Sequence, residues 1–148
     1  MSTNRRLLAA LLTTLAVGTT ACTPDLAIAG SVQRPAATEF GQTRVSANHV
    51  YAVTLQPAQA LKLRQMQTLP VLVTDAQGRP VDGATIAVDG GMPEHGHGLP
   101  TQPRVTRALG GGLYEIEGLR FNMGGWWEFK LAIAGSRGAD TVTFNLAL

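Results

Sequence analysis

The sequence predicts an all-β domain, an immunoglobulin-like two-sheet sandwich of about seven strands. Three observations carry that expectation. From His49 onward, apolar residues recur at every second position in short runs, the period of a half-buried strand. Turn-forming Gly, Pro and Asp residues separate the runs at roughly 8–12-residue spacing, as in a sandwich. No segment beyond the N-terminal apolar run keeps a helical period. The chain has one cysteine, so it lacks the Cys…Trp…Cys spacing of a true immunoglobulin domain. A small barrel is the competing architecture.

The N-terminus comes first. Arg5 and Arg6 precede the uncharged, mostly apolar run Leu7–Val17, and Gly18-Thr19-Thr20-Ala21 follows. That order of basic, apolar and small segments reads as a secretion signal over residues 1–21. The apolar run is short beside the roughly 20 residues a transmembrane helix needs. Cys22 lies directly after the expected cut. Thr19-Thr20-Ala21-Cys22 resembles the lipobox of bacterial lipoproteins, departing from it at Thr19, where that family usually has leucine. The resemblance implies lipidation at Cys22 and a membrane anchor; ordinary cleavage after Ala21 fits the same small residues. The expected location is the periplasmic or cell-surface side. With Cys22 lipidated no thiol remains for a disulfide, so the fold must rest on its core.

Residues 22–47 carry Pro24, Gly30, Pro35 and Gly41 without apolar periodicity and read as a tether. The alternative is that its first residues pack on the domain as an extra strand. The domain itself is expected over residues 48–148. Tyr51, Val53 and Leu55 mark its first strand, and Leu69, Val71 and Val73 the second, closed by the turn Asp75–Pro80. Asp82-Gly83 leads into Ala84, Ile86 and Val88. A Gly-, Pro- and His-rich loop, Gly90–Pro103, precedes a weak strand at Arg104–Ala108 and the turn Gly110-Gly111-Gly112. Tyr114 and Ile116 alternate with Glu115 and Glu117. Trp127, Phe129, Leu131 and Ile133 form one face of the next strand, with Glu128 and Lys130 on the other. Val142, Phe144 and Leu146 close the domain. Trp127 and Tyr114 are expected in the core, with the Tyr114 hydroxyl reaching a rim group. Trp126 has the opposite parity and is expected to cover the loop end or a metal site.

Charge excludes one class of function. The chain has 12 basic and 10 acidic residues. Removal of Arg5 and Arg6 with the signal leaves the two in balance, with no basic run. Nucleic-acid binding by a charged face is not expected. No phosphate loop, Ser-His-Asp arrangement or paired-carboxylate motif is visible, so the chain is not expected to be an enzyme.

The segment that carries chemistry is Gly91-Met92-Pro93-Glu94-His95-Gly96-His97-Gly98. Imidazole is the commonest protein metal ligand and binds when neutral near physiological pH. On an extended backbone His95 and His97 point to the same side, and Gly96 between them leaves room for an ion. Met123 appears later in a second glycine-rich turn. Two imidazoles with one or two thioethers suit Cu(I) better than Mg²⁺ or Ca²⁺, which prefer oxygen. Glu94 would favour zinc or Cu(II). The competing reading makes the histidines solvated loop residues and Met92 and Met123 apolar fillers. His49, at the start of a strand, is a weaker further ligand.

The ordered set Met92-Pro93-x-His95-x-His97-Gly98, Pro100, Pro103, Gly112-x-Tyr114 and Phe121-x-Met123-x-Gly125-x-Trp127 resembles the YtkA-like domain family, itself similar to FixH-type proteins. The resemblance covers residues 65–147. It implies an immunoglobulin-like sandwich, often membrane-anchored, on the extracytoplasmic side. It also implies copper, since FixH-type proteins are linked to copper delivery for oxidase assembly. Carried onto this chain, the candidate ligands are Met92, His95, His97 and Met123. The chain departs from the FixH pattern in lacking a full transmembrane span and in having Glu94 where a small residue is common. The expected function is that of a copper-binding or copper-transfer lipoprotein passing Cu(I) to a copper-receiving envelope protein. A metal-free immunoglobulin-like interaction module is the alternative.

Overall fold

A computed structural model describes residues 39–148, so the expected signal peptide, most of the tether and the lipidation candidate Cys22 lie outside the described residues. Among the described residues nine strands run in chain order: β1 (Thr43–Val45), β2 (Tyr51–Leu55), β3 (Gln67–Asp75), β4 (Thr85–Met92), β5 (His97–Gly98), β6 (Arg104–Gly110), β7 (Leu113–Leu119), β8 (Trp126–Gly135) and β9 (Gly138–Ala147). They form two antiparallel sheets, ordered β1-β2-β3-β7-β6 and β5-β4-β8-β9. Among the described residues no helix interrupts them, and none is long and apolar enough to cross a membrane. The all-β sandwich expected from the alternation is the fold observed.

Alternation places the core between the sheets. Tyr51, Val53 and Leu55 on β2, and Leu69, Val71 and Val73 on β3, are fully buried. Trp127, Phe129, Leu131 and Ile133 of β8 meet them from the other sheet, with Val142, Phe144 and Leu146 of β9 alongside. Each such side chain removed from water contributes roughly 1.5–3 kcal/mol. Tyr114 is buried as expected. Its hydroxyl donates to the Val81 carbonyl at 2.7 Å and accepts from the Ala84 N–H at 2.9 Å.

Two strands exceed the expected seven, and both are short. β1 falls inside the stretch read as tether; it pairs with β2 over Thr43↔Thr54 to Val45↔Ala52. Residues 39–47 therefore pack with the sandwich, which begins before residue 48. β5 falls inside the loop Gly90–Pro103. Neither strand carries an inward apolar alternation, because β1 has 3 residues and β5 has 2, with none of them buried, too few to impose one. β6, the weak strand, is also an edge strand, and of its residues only Val105 packs against the core.

Candidate metal centre

The β4–β5 hairpin builds one half of the site. Gly91 pairs with Gly98 and Met92 with His97. The connection is the four residues Pro93 to Gly96. The Met92 carbonyl accepts from the His95 N–H at 3.0 Å and the Gly96 N–H at 2.9 Å. Pro93 supplies the fixed φ that suits the second position of such a turn. Gly96 takes φ +66°, which a residue with a Cβ adopts at a cost. His95 thus sits in a turn rather than on an extended backbone, so the geometric reason expected for pairing the histidines is not the one that operates. The turn brings them together instead: the ring centroids are 5.9 Å apart at 30° between planes.

Directly opposed residues of an antiparallel pair project to the same face. Met92 is 1% exposed and belongs to the contiguous core, so His97 is on the core-facing side at the end of the sheet. Its ring meets the buried Trp127 edge-on, with centroids 5.7 Å apart and planes at 66°, while the residue stays exposed to solvent. The Nδ1 of His97 lies 3.1 Å from the Gly98 carbonyl. A carbonyl only accepts, so that bond puts the proton on Nδ1 and leaves the Nε2 lone pair available to a metal.

The second half is the turn between β7 and β8. The Trp127 indole N–H donates to the Met123 carbonyl at 3.1 Å. Phe121 packs on the same indole, centroids 5.1 Å apart. The Arg64 N–H donates to the Phe121 carbonyl at 2.6 Å, and its Nε to the Asn122 carbonyl at 3.3 Å. Gly125 exchanges two backbone hydrogen bonds with Leu148. At φ +128° it also leaves room for the Met92 methyl, which would stand 2.8 Å from a Cβ there. Met123 is half-buried against the core.

The paired His95 and His97, the Met92 methyl over Gly125 and the Met123 backbone thus lie toward the end of the sandwich marked by Trp127, in different surroundings. His95 and His97 are exposed, Met123 is half-buried and Met92 is a core residue. An open depression of about 420 Å³ flanks the hairpin, lined among others by Gly91, Pro93, His97, Glu128 and Lys130. Among the described residues no group of three or more His, Cys, Asp or Glu side chains could hold a metal ion. An ion here would depend on thioether sulfur beside the two imidazoles, a soft donor set.

Two expected accessory residues lie elsewhere. His49 is exposed in a turn at φ +61°, beside Asn48, whose N–H donates to Asp140 at 2.9 Å. Asp140 pairs with Ile133, six positions from Trp127 along β8, or roughly 20 Å at about 3.3 Å per residue. Trp126 is buried, but on the opposite face of the sheet from Trp127, donating to Asn145 Oδ1 at 3.0 Å. It does not cover the site. Arg64 was invisible to sequence reasoning, since a lone arginine in an irregular segment carries no pattern.

A family model described as YtkA-like matches residues 46–132. No curated protein and no solved structure matches the chain.

Proposed function

The chain belongs to the YtkA-like family, and on that premise we propose that it is an extracytoplasmic, membrane-anchored copper-binding protein that carries Cu(I) to an envelope partner. The anchor is the lipid expected on Cys22. The ligands are His95 and His97, with Met123 beside them and Met92 beneath. The protein is a carrier in this reading and no enzyme.

One observation carries the proposal: the His97 imidazole, paired with that of His95, meets the same indole that holds the Met123 backbone. Two imidazoles bound to one ion through nitrogens about 2.0–2.1 Å away hold their centroids on the order of 5–6 Å apart. The separation here is 5.9 Å. Thioether and imidazole donors are those Cu(I) prefers over hard cations. Exposure of both histidines leaves one side of the site open, which transfer by ligand exchange requires: a docked partner adds a donor before this chain releases one.

The full chain is expected to bind one Cu(I), measured by competition with a chromogenic chelator. His95→Ala with His97→Ala is expected to abolish that binding while circular dichroism stays unchanged, since both side chains are exposed. Unchanged affinity in the double variant would remove copper from the account. The burial of Met92 favours a second reading, in which the loop end is packing and the domain is an interaction module without metal. That reading requires the double variant to keep its partner and its function.

A further inference from the structure

Parity alone makes Trp127 a core filler, and its full burial fits that part. The indole also makes two directed contacts. Its N–H donates to the Met123 carbonyl at 3.1 Å, and its ring meets the His97 imidazole edge-on at 5.7 Å. A buried indole N–H needs a partner, so this hydrogen bond fixes the Met123 backbone relative to the ring. Phe121 packs against the same indole, and the Arg64 donors hold the two carbonyls before that of Met123. One rigid ring system thus touches both halves of the site, which come from segments far apart in the chain.

We propose that Trp127 is the positioning residue of the site, setting the distance between the His97 imidazole and the Met123 segment before any ion arrives. The proposal rests on the copper reading for its ion, but the positioning belongs to the metal-free protein. Site groups held near their working geometry lose less freedom on binding. A Trp127 variant should therefore weaken the site without removing a ligand.

The test uses the full chain with Trp127→Phe, and with Trp126→Phe on the opposite face as control. In the metal-free protein, the His97 ring-proton resonances should be displaced from those of exposed His49 by the indole ring current. In Trp127→Phe they should move toward the His49 values. Cu(I) affinity, read by chelator competition, should fall about tenfold in Trp127→Phe and stay unchanged in Trp126→Phe. His97 resonances coincident with those of His49 would mean that the indole does not hold the His97 ring in solution, and that result overturns the proposal. So does wild-type Cu(I) affinity in Trp127→Phe. Should that variant not fold, 3-benzothienylalanine at position 127 keeps the ring shape and lacks only the N–H. It should retain the His97 displacement yet bind Cu(I) more weakly; wild-type affinity there overturns the role of the hydrogen bond. A wild-type chain that takes up no Cu(I) defeats the copper reading, while the metal-free spectra still decide the positioning.

Discussion

Met92 and Met123 bring the same side chain into different surroundings, and their burial separates two roles. Met92 is 1% exposed with its methyl seated over Gly125, so its first contribution is packing. Met123 is half-buried at the end of the sandwich, with its carbonyl held by Trp127. Methionine to leucine nearly conserves volume and costs less than about 1.5 kcal/mol in a core, so it removes sulfur while sparing the fold. Met123→Leu is expected to lower Cu(I) affinity by about tenfold, or ~1.4 kcal/mol, with the thermal midpoint nearly unchanged. Chelator competition and a thermal melt together check this. Met92→Leu run in parallel shows whether its sulfur is a donor from beneath or a filler only.

The β4–β5 hairpin is the element on which the site depends; Gly91 lets it close, and Gly90 lets β4 lie against β8. A Cβ at Gly91 would lie 2.6 Å from the His97 carbonyl oxygen, and one at Gly90 would lie 2.5 Å from the Glu128 carbonyl oxygen. These are backbone atoms within a sheet and cannot swing aside as a side-chain tip would. Gly91→Ala should therefore push β5 away from β4, with a destabilisation of roughly 1–3 kcal/mol as for overpacking. Because His97 lies on β5, Cu(I) affinity should fall with stability. Gly98→Ala is the control, since its nearest atom would be the Gly90 carbonyl oxygen at an ordinary 3.4 Å. It should leave both the melt and the copper titration close to wild type. Equal losses in the two variants would show that hairpin closure does not set the site.

At the scale of the whole domain, the pole opposite the site is tied by polar groups that join the sheets. Asp140 of β9 accepts from the N–H of Asn48 at 2.9 Å and of Val50 at 3.3 Å, binding the β1–β2 turn to the other sheet. Arg137 in the β8–β9 turn reaches Asp75 at the end of β3, 3.3 Å away. The Tyr51 hydroxyl donates to the Gly138 carbonyl at 2.6 Å. Burial works against ionisation of Asp140, but the Ser46 side chain and the N–H groups of Thr141, Asn48 and Val50 outweigh it and lower its pKa to about 2. Asp75 is likewise lowered, chiefly by the Arg79 side chain, against the opposing effect of burial. Both folded values lie below the unfolded one, so the stabilisation is complete above the ordinary carboxylate range and is lost as pH falls through the folded value. The thermal midpoint should therefore hold level above about pH 5 and drop between about pH 4 and pH 2. Asp140→Asn should melt lower at neutral pH and show a shallower acid drop. Parallel acid profiles for variant and wild type would deny Asp140 that part.

The strands were legible because burial on one face of a sheet imposes a two-residue period, and Tyr51-Val53-Leu55 or Trp127-Phe129-Leu131-Ile133 cannot satisfy it by chance geometry. The histidine pair was legible because adjacency in the chain is adjacency in space. β1 and β5 were not legible, because short edge strands bury too little to leave a pattern. The position of the Met123 turn beside the histidine hairpin belongs to the tertiary structure alone. Alternation says which face of a strand is buried, but not which loop ends at the same pole. That was decided by the antiparallel registers of β4, β8 and β9 and by the packing of the two sheets across Trp127.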